Sequence, residues 1–127
     1  MSLVPEHLFY TKEHEWVEVI DSTTVRFGIT DYAQNSLGDI VYVALPALGS
    51  SVKAGESCGE VESTKSVSEI YAPVTGEVIG VNENVEANPE LLNVDSYTSG
   101  WLVTVSLAGD LSQYSLLSPS EYQGLTQ

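Results

Sequence analysis

The sequence is poor in positive charge. Four basic residues, Lys12, Arg26, Lys53 and Lys65, stand against eighteen acidic ones in 127, giving a formal net charge of −14 at pH 7. Such a chain repels nucleic acid and anionic lipid, which argues against either as a partner. It also leaves three lysines for any chemistry that needs one. Cysteine is nearly absent. Cys58 alone closes no intrachain disulfide, and with only two histidines there is no Cys/His cluster for zinc, so no metal is expected. No apolar run approaches the roughly 20 residues of a membrane span. The opening MSLVPEHLFYTKEHEW has neither a basic n-region nor an Arg-rich transit pattern. The expectation is an unprocessed bacterial cytoplasmic protein; a processed chain of the mitochondrial matrix would look the same.

What is present fits one domain over 1–127. A chain of this length, 43% hydrophobic with ten Gly and five Pro, buries roughly two thirds of its unfolded surface. Glu15 to Ile20 and Val25 to Ile29, the latter alternating with period two, flank the turn-like Asp21-Ser22-Thr23 and predict a hairpin. Thr30 to Gly38 offers an N-cap, a short helical stretch and a Gly stop. Asp39 to Leu45, rich in Val and Ile, reads as a strand closed by Pro46, which cannot donate to a ladder. Beyond it the pattern predicts short strands between Gly, Asn and Pro. At the end, Ser118-Pro119-Ser120-Glu121 carries a capping serine, a first-turn proline and a glutamate three residues on, predicting a helix over about 118–126 with Tyr122 and Leu125 on one face.

The stretches Val52-Lys53-Ala54-Gly55-Glu56 and Val85-Glu86-Ala87-Asn88-Pro89-Glu90 echo each other, each placing a turn after a valine and before a new strand, as two similar hairpin arms would. Between them, Ser63 to Ser68 is small and polar and sets Lys65 on an exposed turn, within reach of a modifying enzyme. The plain alternative is an ordinary solvated lysine. Trp16, Phe27, Tyr42 and Trp101 read as core, and Cys58 as a small buried filler. His7 and His14 have no nucleophile or third ligand in view.

Glu62-Ser63-Thr64-Lys65, then Ile70-Tyr71-Ala72-Pro73-Val74-Thr75-Gly76-Glu77-Val78, closely resembles the lipoyl attachment hairpin of glycine cleavage H proteins. Lys12-Glu13-His14-Glu15-Trp16-Val17, Gly28 to Gln34, Leu37-Gly38-Asp39-Ile40-Val41, Asn88 to Asn93 and Gly100-Trp101-Leu102 are similar to that family's other segments, in the same order. Ser66-Val67-Ser68 stands where alanines are common, and Glu69 where Asp is usual. Ser115 to Gln127 is the least family-like part and is expected to vary without touching a carrier function.

The resemblance implies an all-β barrel-sandwich hybrid with short peripheral helices and a lipoyl-bearing hairpin at about 60–78. It implies that lipoate is held covalently on Lys65, and that the chain is a carrier with no catalytic residue of its own. Its implied partners are a pyridoxal-phosphate-dependent glycine decarboxylase, a tetrahydrofolate-dependent aminomethyltransferase, dihydrolipoyl dehydrogenase, and a lipoate ligase or lipoyltransferase. Glu15 and Glu69 match the family's cleft, where carboxylates would pair with the protonated amine of the loaded arm; otherwise Glu15 is a solvated strand residue and Glu69 a hairpin charge.

Other readings remain beside this one. A biotin carrier would have methionine beside its lysine, where this chain has Thr64 and Ser66. A lipoyl domain of a 2-oxo acid dehydrogenase usually lacks the His14-Glu15-Trp16 segment, and a lipoyl-relay protein serving such enzymes would use the same residues as a glycine cleavage carrier. A plain acidic interaction domain would leave the Glu62 to Val78 match accidental. An enzyme with Lys65 as nucleophile would need a desolvated lysine, whereas this turn is polar and acidic.

Overall fold

The computed structural model describes residues 3–126. Met1, Ser2 and Gln127, at the ends of the expected 1–127 domain, lie outside them. Strand β1 (Phe9–Tyr10) leads into the hairpin β2 (Glu15–Asp21) and β3 (Thr24–Ile29). Its turn is closed by the Asp21 carboxylate, which accepts from the Thr23 amide at 2.9 Å. Helix α1 (Asp31–Leu37) starts at Thr30, whose hydroxyl accepts from Ala33 N–H, and stops at Gly38, whose φ of 86° a side chain would resist. Then come β4 (Ile40–Ala44), β5 (Ser51–Val52), β6 (Ser57–Ser63), β7 (Val67–Tyr71) and β8 (Gly76–Val81). Helices α2 (Glu83–Ala87) and α3 (Leu91–Val94) precede β9 (Val103–Leu107), and α4 (Pro119–Thr126) closes the chain.

Among the described residues the strands form two antiparallel sheets, one of six strands in the order β1-β2-β3-β9-β8-β5 and one of three in the order β4-β6-β7. The main core lies between them: Val25, Phe27, Val78 and Val105 from the larger sheet meet Val43, Val61 and Ile70 from the smaller, with Val85 and Leu92 of the helices closing the side. This is the barrel-sandwich arrangement expected, with short helices at its edge. A second cluster of Leu8, Tyr10, Trp16 and Tyr122 is also buried. Trp16 pairs with Gly28, where a Cβ would stand 2.8 Å from the indole, and it donates from Nε1 to the Ser96 carbonyl at 2.9 Å. Only glycine leaves room for that ring.

The capping box of α4 forms as read: Glu121 N–H donates to Ser118 Oγ at 3.2 Å, and Ser118 N–H to the Glu121 carboxylate at 2.8 Å. Tyr122 and Leu125 part company, however. Tyr122 is fully buried and stacks on Tyr10 at 4.7 Å, while Leu125 is 49% exposed. One aromatic ring satisfies the cluster that the short helix covers. The Tyr122 hydroxyl lies 2.7 Å from both His14 Nδ1 and Thr30 Oγ1. Burial lowers the His14 pKa, so the neutral ring can accept from Tyr122 while Thr30 donates to it. Tyr122→Phe removes both bonds and keeps the stack; a loss of about 1 to 2 kcal/mol is expected in urea unfolding, and an unchanged midpoint would contradict this network.

Several expectations need correction. The second copy of the echo is helical: Asn82 caps α2, Val85 points into the core, and α3 rather than a strand follows. Helices of five and four residues are too short to show a 3.6-residue period. The lysine-bearing hairpin covers 57–71, because the chain turns through Ala72–Thr75 around Pro73 and residues 76–78 belong to β8 in the other sheet. Tyr42 is 53% exposed rather than core, since its side of β4 faces away from the sandwich. Cys58 is half-buried against the core, and burial pushes its thiol up to about 11. Within the least family-like segment, Tyr122 completes the second cluster, so that position is tied to the fold.

Candidate functional site

Lys65 is exposed at the tip joining β6 to β7. Its turn is built by Ser63, which is buried although the residues on either side of it are exposed. Ser63 Oγ accepts from the amides of Lys65 at 3.2 Å and Ser66 at 3.1 Å, and Ser63 N–H donates to the Ser66 carbonyl at 2.8 Å. A serine two residues before the lysine makes a compact side-chain-to-backbone turn and leaves the lysine side chain outside it. Ser63→Ala is expected to cost about 1 kcal/mol and to speed amide exchange at Lys65 and Ser66; unchanged exchange would show that the hydroxyl does not hold the tip.

The outward side of this three-stranded sheet is acidic. Glu60 lies directly opposite Glu69, and Glu62 lies opposite both Tyr42 and Val67. Like charges opposed across a ladder oppose its pairing, so this face is not arranged for stability. Lys12 and Lys53 are exposed as well, so exposure does not single out Lys65. The tip does: Lys12 sits in the Thr11–Glu15 turn and Lys53 in the turn between β5 and β6.

Glu15, at the start of β2, is the one buried acid among the described residues, only 2% exposed. Thr11 Oγ1 donates to its Oε1 at 2.7 Å, and Tyr71 N–H reaches toward Oε2 at 3.4 Å. Burial outweighs these donors and pushes the carboxyl up to about 8. It lines a cleft of about 340 Å³ with Thr11, Glu13, Tyr71, Pro73 and Leu116. Glu69 is exposed, and its carboxylate accepts from the Tyr71 hydroxyl at 3.2 Å. Tyr71 therefore touches both acids, Glu15 through its amide and Glu69 through its hydroxyl. Glu69 is the third residue of β7, and the turn that holds Lys65 ends just before that strand, so the two lie at most about 13 Å apart along the chain.

Glu15 and Glu69 are thus brought to one tyrosine, while Lys65 stands apart at the tip of the hairpin. Tyr71, Thr11 and Ser63 were missed in the sequence. Tyr71 shares the period-two face of Glu69, which was a usable signal; Thr11 carried none. His14 adjoins Glu15 with φ of 68°, a left-handed conformation uncommon for a side-chain-bearing residue, and packs 4.7 Å from the Tyr32 ring. A larger cavity of about 510 Å³ opens between Pro46, Val52, Lys53, Cys58 and Thr75, and includes none of the three candidates. Its lining has no convergent acid or base beyond the exposed Lys53 and Glu56. No helix among the described residues is long and apolar enough to cross a membrane.

The model of the family "Glycine cleavage H-protein" matches residues 8–127. A glycine cleavage system H protein of Mycolicibacterium vanbaalenii is 56% identical over 124 residues, 98% of this chain and 95% of that one. One from Carboxydothermus hydrogenoformans is 47% identical over 127 residues, 100% of this chain and 97% of that one. The crystal structure of a glycine cleavage system H protein from Mycobacterium marinum superposes with a TM-score of 0.89 at 42% identity, covering 95% of this chain and 97% of the other.

Proposed function

The chain belongs to the glycine cleavage H-protein family, and on that premise we propose that it is a lipoyl carrier whose arm is anchored on Lys65. The observation that carries this is the presentation of Lys65: an exposed amine on a turn closed by Ser63, at the end of two strands whose inner residues are fixed in the core. Acylation of that ε-amine gives a neutral amide, so the protein contributes an anchor rather than a catalytic group. When bound, lipoate supplies a dithiolane that accepts an aminomethyl unit and is later reoxidised. The proposed partners are the glycine decarboxylase that loads the arm, the tetrahydrofolate-dependent aminomethyltransferase that unloads it, dihydrolipoyl dehydrogenase, and the lipoate ligase or lipoyltransferase that installs it, in a bacterial cytoplasm.

The cleft fits a docked arm. Glu15 lines the cleft and Glu69 lies outside its lining, at the exposed hydroxyl of Tyr71, so Glu15 is the acid that would meet a cationic amine inside and Glu69 one that would meet it on approach. A carboxyl held up to about 8 carries its proton at neutral pH while it has no partner. An arriving ammonium favours the ionised form, so docking pairs it with a newly ionised Glu15 inside the cleft and expels water from a bond that water would hydrolyse.

The test is intact and peptide mass spectrometry of the chain after incubation with lipoate, ATP and a lipoate ligase. One lipoyl group on the peptide containing Lys65 is expected, and the product should support glycine-dependent exchange with glycine decarboxylase. No addition, or addition of biotin in a parallel biotinylation reaction, would overturn the reading. Service to 2-oxo acid dehydrogenases as a lipoyl relay uses the same lysine, and would show as lipoyl transfer from this chain to a second apo-domain.

A further inference from the structure

The tip that carries Lys65 is held from an unexpected direction. Next to it the ladder between β4 and β6 is irregular, with a shift in register between Ile40 and Tyr42. The tip instead reaches the α1–β4 corner through one backbone bond, from Thr64 N–H to the Asp39 carbonyl at 3.0 Å. The Lys65 side chain lies along the same corner: a Cβ built on Gly38 would stand 3.7 Å from Lys65 Cε.

That corner is clamped by one side chain. Asn93, on α3, accepts from Ile40 N–H at 2.8 Å and donates to the Gly38 carbonyl at 2.9 Å and to Gln34 Oε1, also at 2.9 Å. The orientation of its amide follows from its partners, since a peptide N–H can only donate and a carbonyl can only accept. Both amide protons and the oxygen of Asn93 are thereby engaged, on the two peptide groups that flank Asp39. Gln34 is in turn tied to Asp31 at 2.8 Å, and α3 is rooted in the core by fully buried Leu92. A continuous path runs from the core through Leu92, Asn93 and Asp39 to Thr64 and the lysine.

We propose that Asn93 is a positioning residue for Lys65, fixing the Gly38–Ile40 corner on which the hairpin tip rests and so setting how the lysine is presented to the enzyme that acylates it. This rests on Lys65 being the acceptor, as argued above. Asn93 touches neither the lysine nor any cofactor and acts through Asp39 and Thr64.

The test uses the full unmodified chain as acceptor for a lipoate ligase, with Asn93→Ala, Asn93→Asp and, as a control for lost stability alone, the core truncation Val105→Ala in the other sheet. Both Asn93 variants are expected to raise the KM for the protein acceptor roughly five- to tenfold, with kcat within about twofold, and Val105→Ala to leave KM unchanged. Asn93→Asp keeps an acceptor for Ile40 but turns a carboxylate oxygen on the Gly38 carbonyl. In the wild-type chain, amide exchange should show Thr64 and Ile40 protected together; in Asn93→Ala both should lose that protection at least about tenfold. Wild-type KM in a folded Asn93 variant, or a Thr64 amide as unprotected as a free surface amide in the wild type, would overturn the proposal. Were the wild-type chain not acylated at all, the Lys65 reading would fall, while the exchange data would still decide whether Asn93 holds the tip.

Discussion

Lys65→Arg is expected to abolish lipoylation completely while leaving the fold intact. The side chain is exposed, so its replacement by another long cation should move unfolding free energy by no more than about 0.5 kcal/mol. The chemistry differs absolutely, because a guanidinium stays protonated throughout the accessible pH range and offers no free amine for acylation. Lys12 and Lys53 are also exposed and remain available in the variant, which makes the result informative about presentation as well as reactivity. Neither sits on a hairpin tip closed by a buried serine. Intact mass after ligase treatment should therefore show no lipoyl group, and the variant should give no glycine-dependent turnover with the partner enzymes. A lipoyl group on Lys12 or Lys53 would mean that any exposed lysine of this chain suffices and that the tip has no special role.

Glu15→Gln is expected to have two large effects of opposite sign. In the wild-type chain the carboxyl titrates near 8 when folded and at its ordinary 4.5 when unfolded. Between those pH values the folded state retains a proton that the unfolded state has released, so stability is highest below 4.5 and falls as pH rises towards 8. The slope is up to about 1.4 kcal/mol per pH unit for this one group. Glutamine removes the ionisation and the slope with it. It surrenders one of two accepted hydrogen bonds, from Thr11 or from Tyr71, at about 1 kcal/mol, and should still leave the variant more stable than wild type above pH 8. Chemical denaturation across pH 5 to 9 measures this directly, and parallel curves for the two proteins would show that Glu15 does not ionise at a cost.

The second effect is on the carrier. On the proposed carrier reading, replacing the ionisable acid inside the cleft removes the charge-assisted partner of the loaded arm, and its aminomethyl cargo should be lost to water about tenfold faster, or more. A variant that is more stable yet holds its cargo less well would mark Glu15 as a residue kept at a cost to the fold. Equal lifetimes of the loaded wild-type and Glu15→Gln proteins would remove Glu15 from the arm's binding site.

Much of the fold was legible because it obeys local rules. The β2–β3 hairpin, the Thr30 and Gly38 boundaries of α1, and the capping box of α4 each depend on residues within a few positions of one another. The helices α2 and α3 were not legible, because their stability comes from burying Val85 and Leu92 against strands that are distant in sequence. Tyr42 was misread for a related reason: alternation tells that two faces differ, but not which one the second sheet will cover.

By itself the sequence determined that one of three lysines lies in a small polar turn between strand-forming segments, that the chain is strongly acidic, and that its ordered segments resemble one family. Tertiary structure alone decided that Glu15 is inside rather than solvated, that Tyr71 joins it to Glu69, that Tyr122 closes on His14 across 108 positions, and that Asn93 braces the corner under Lys65. The reason is physical. A turn or a cap is fixed by dihedral preferences and hydrogen bonds within a few residues, whereas the protonation of a carboxyl and the partners of an amide depend on which distant surfaces the packed core brings together and dries.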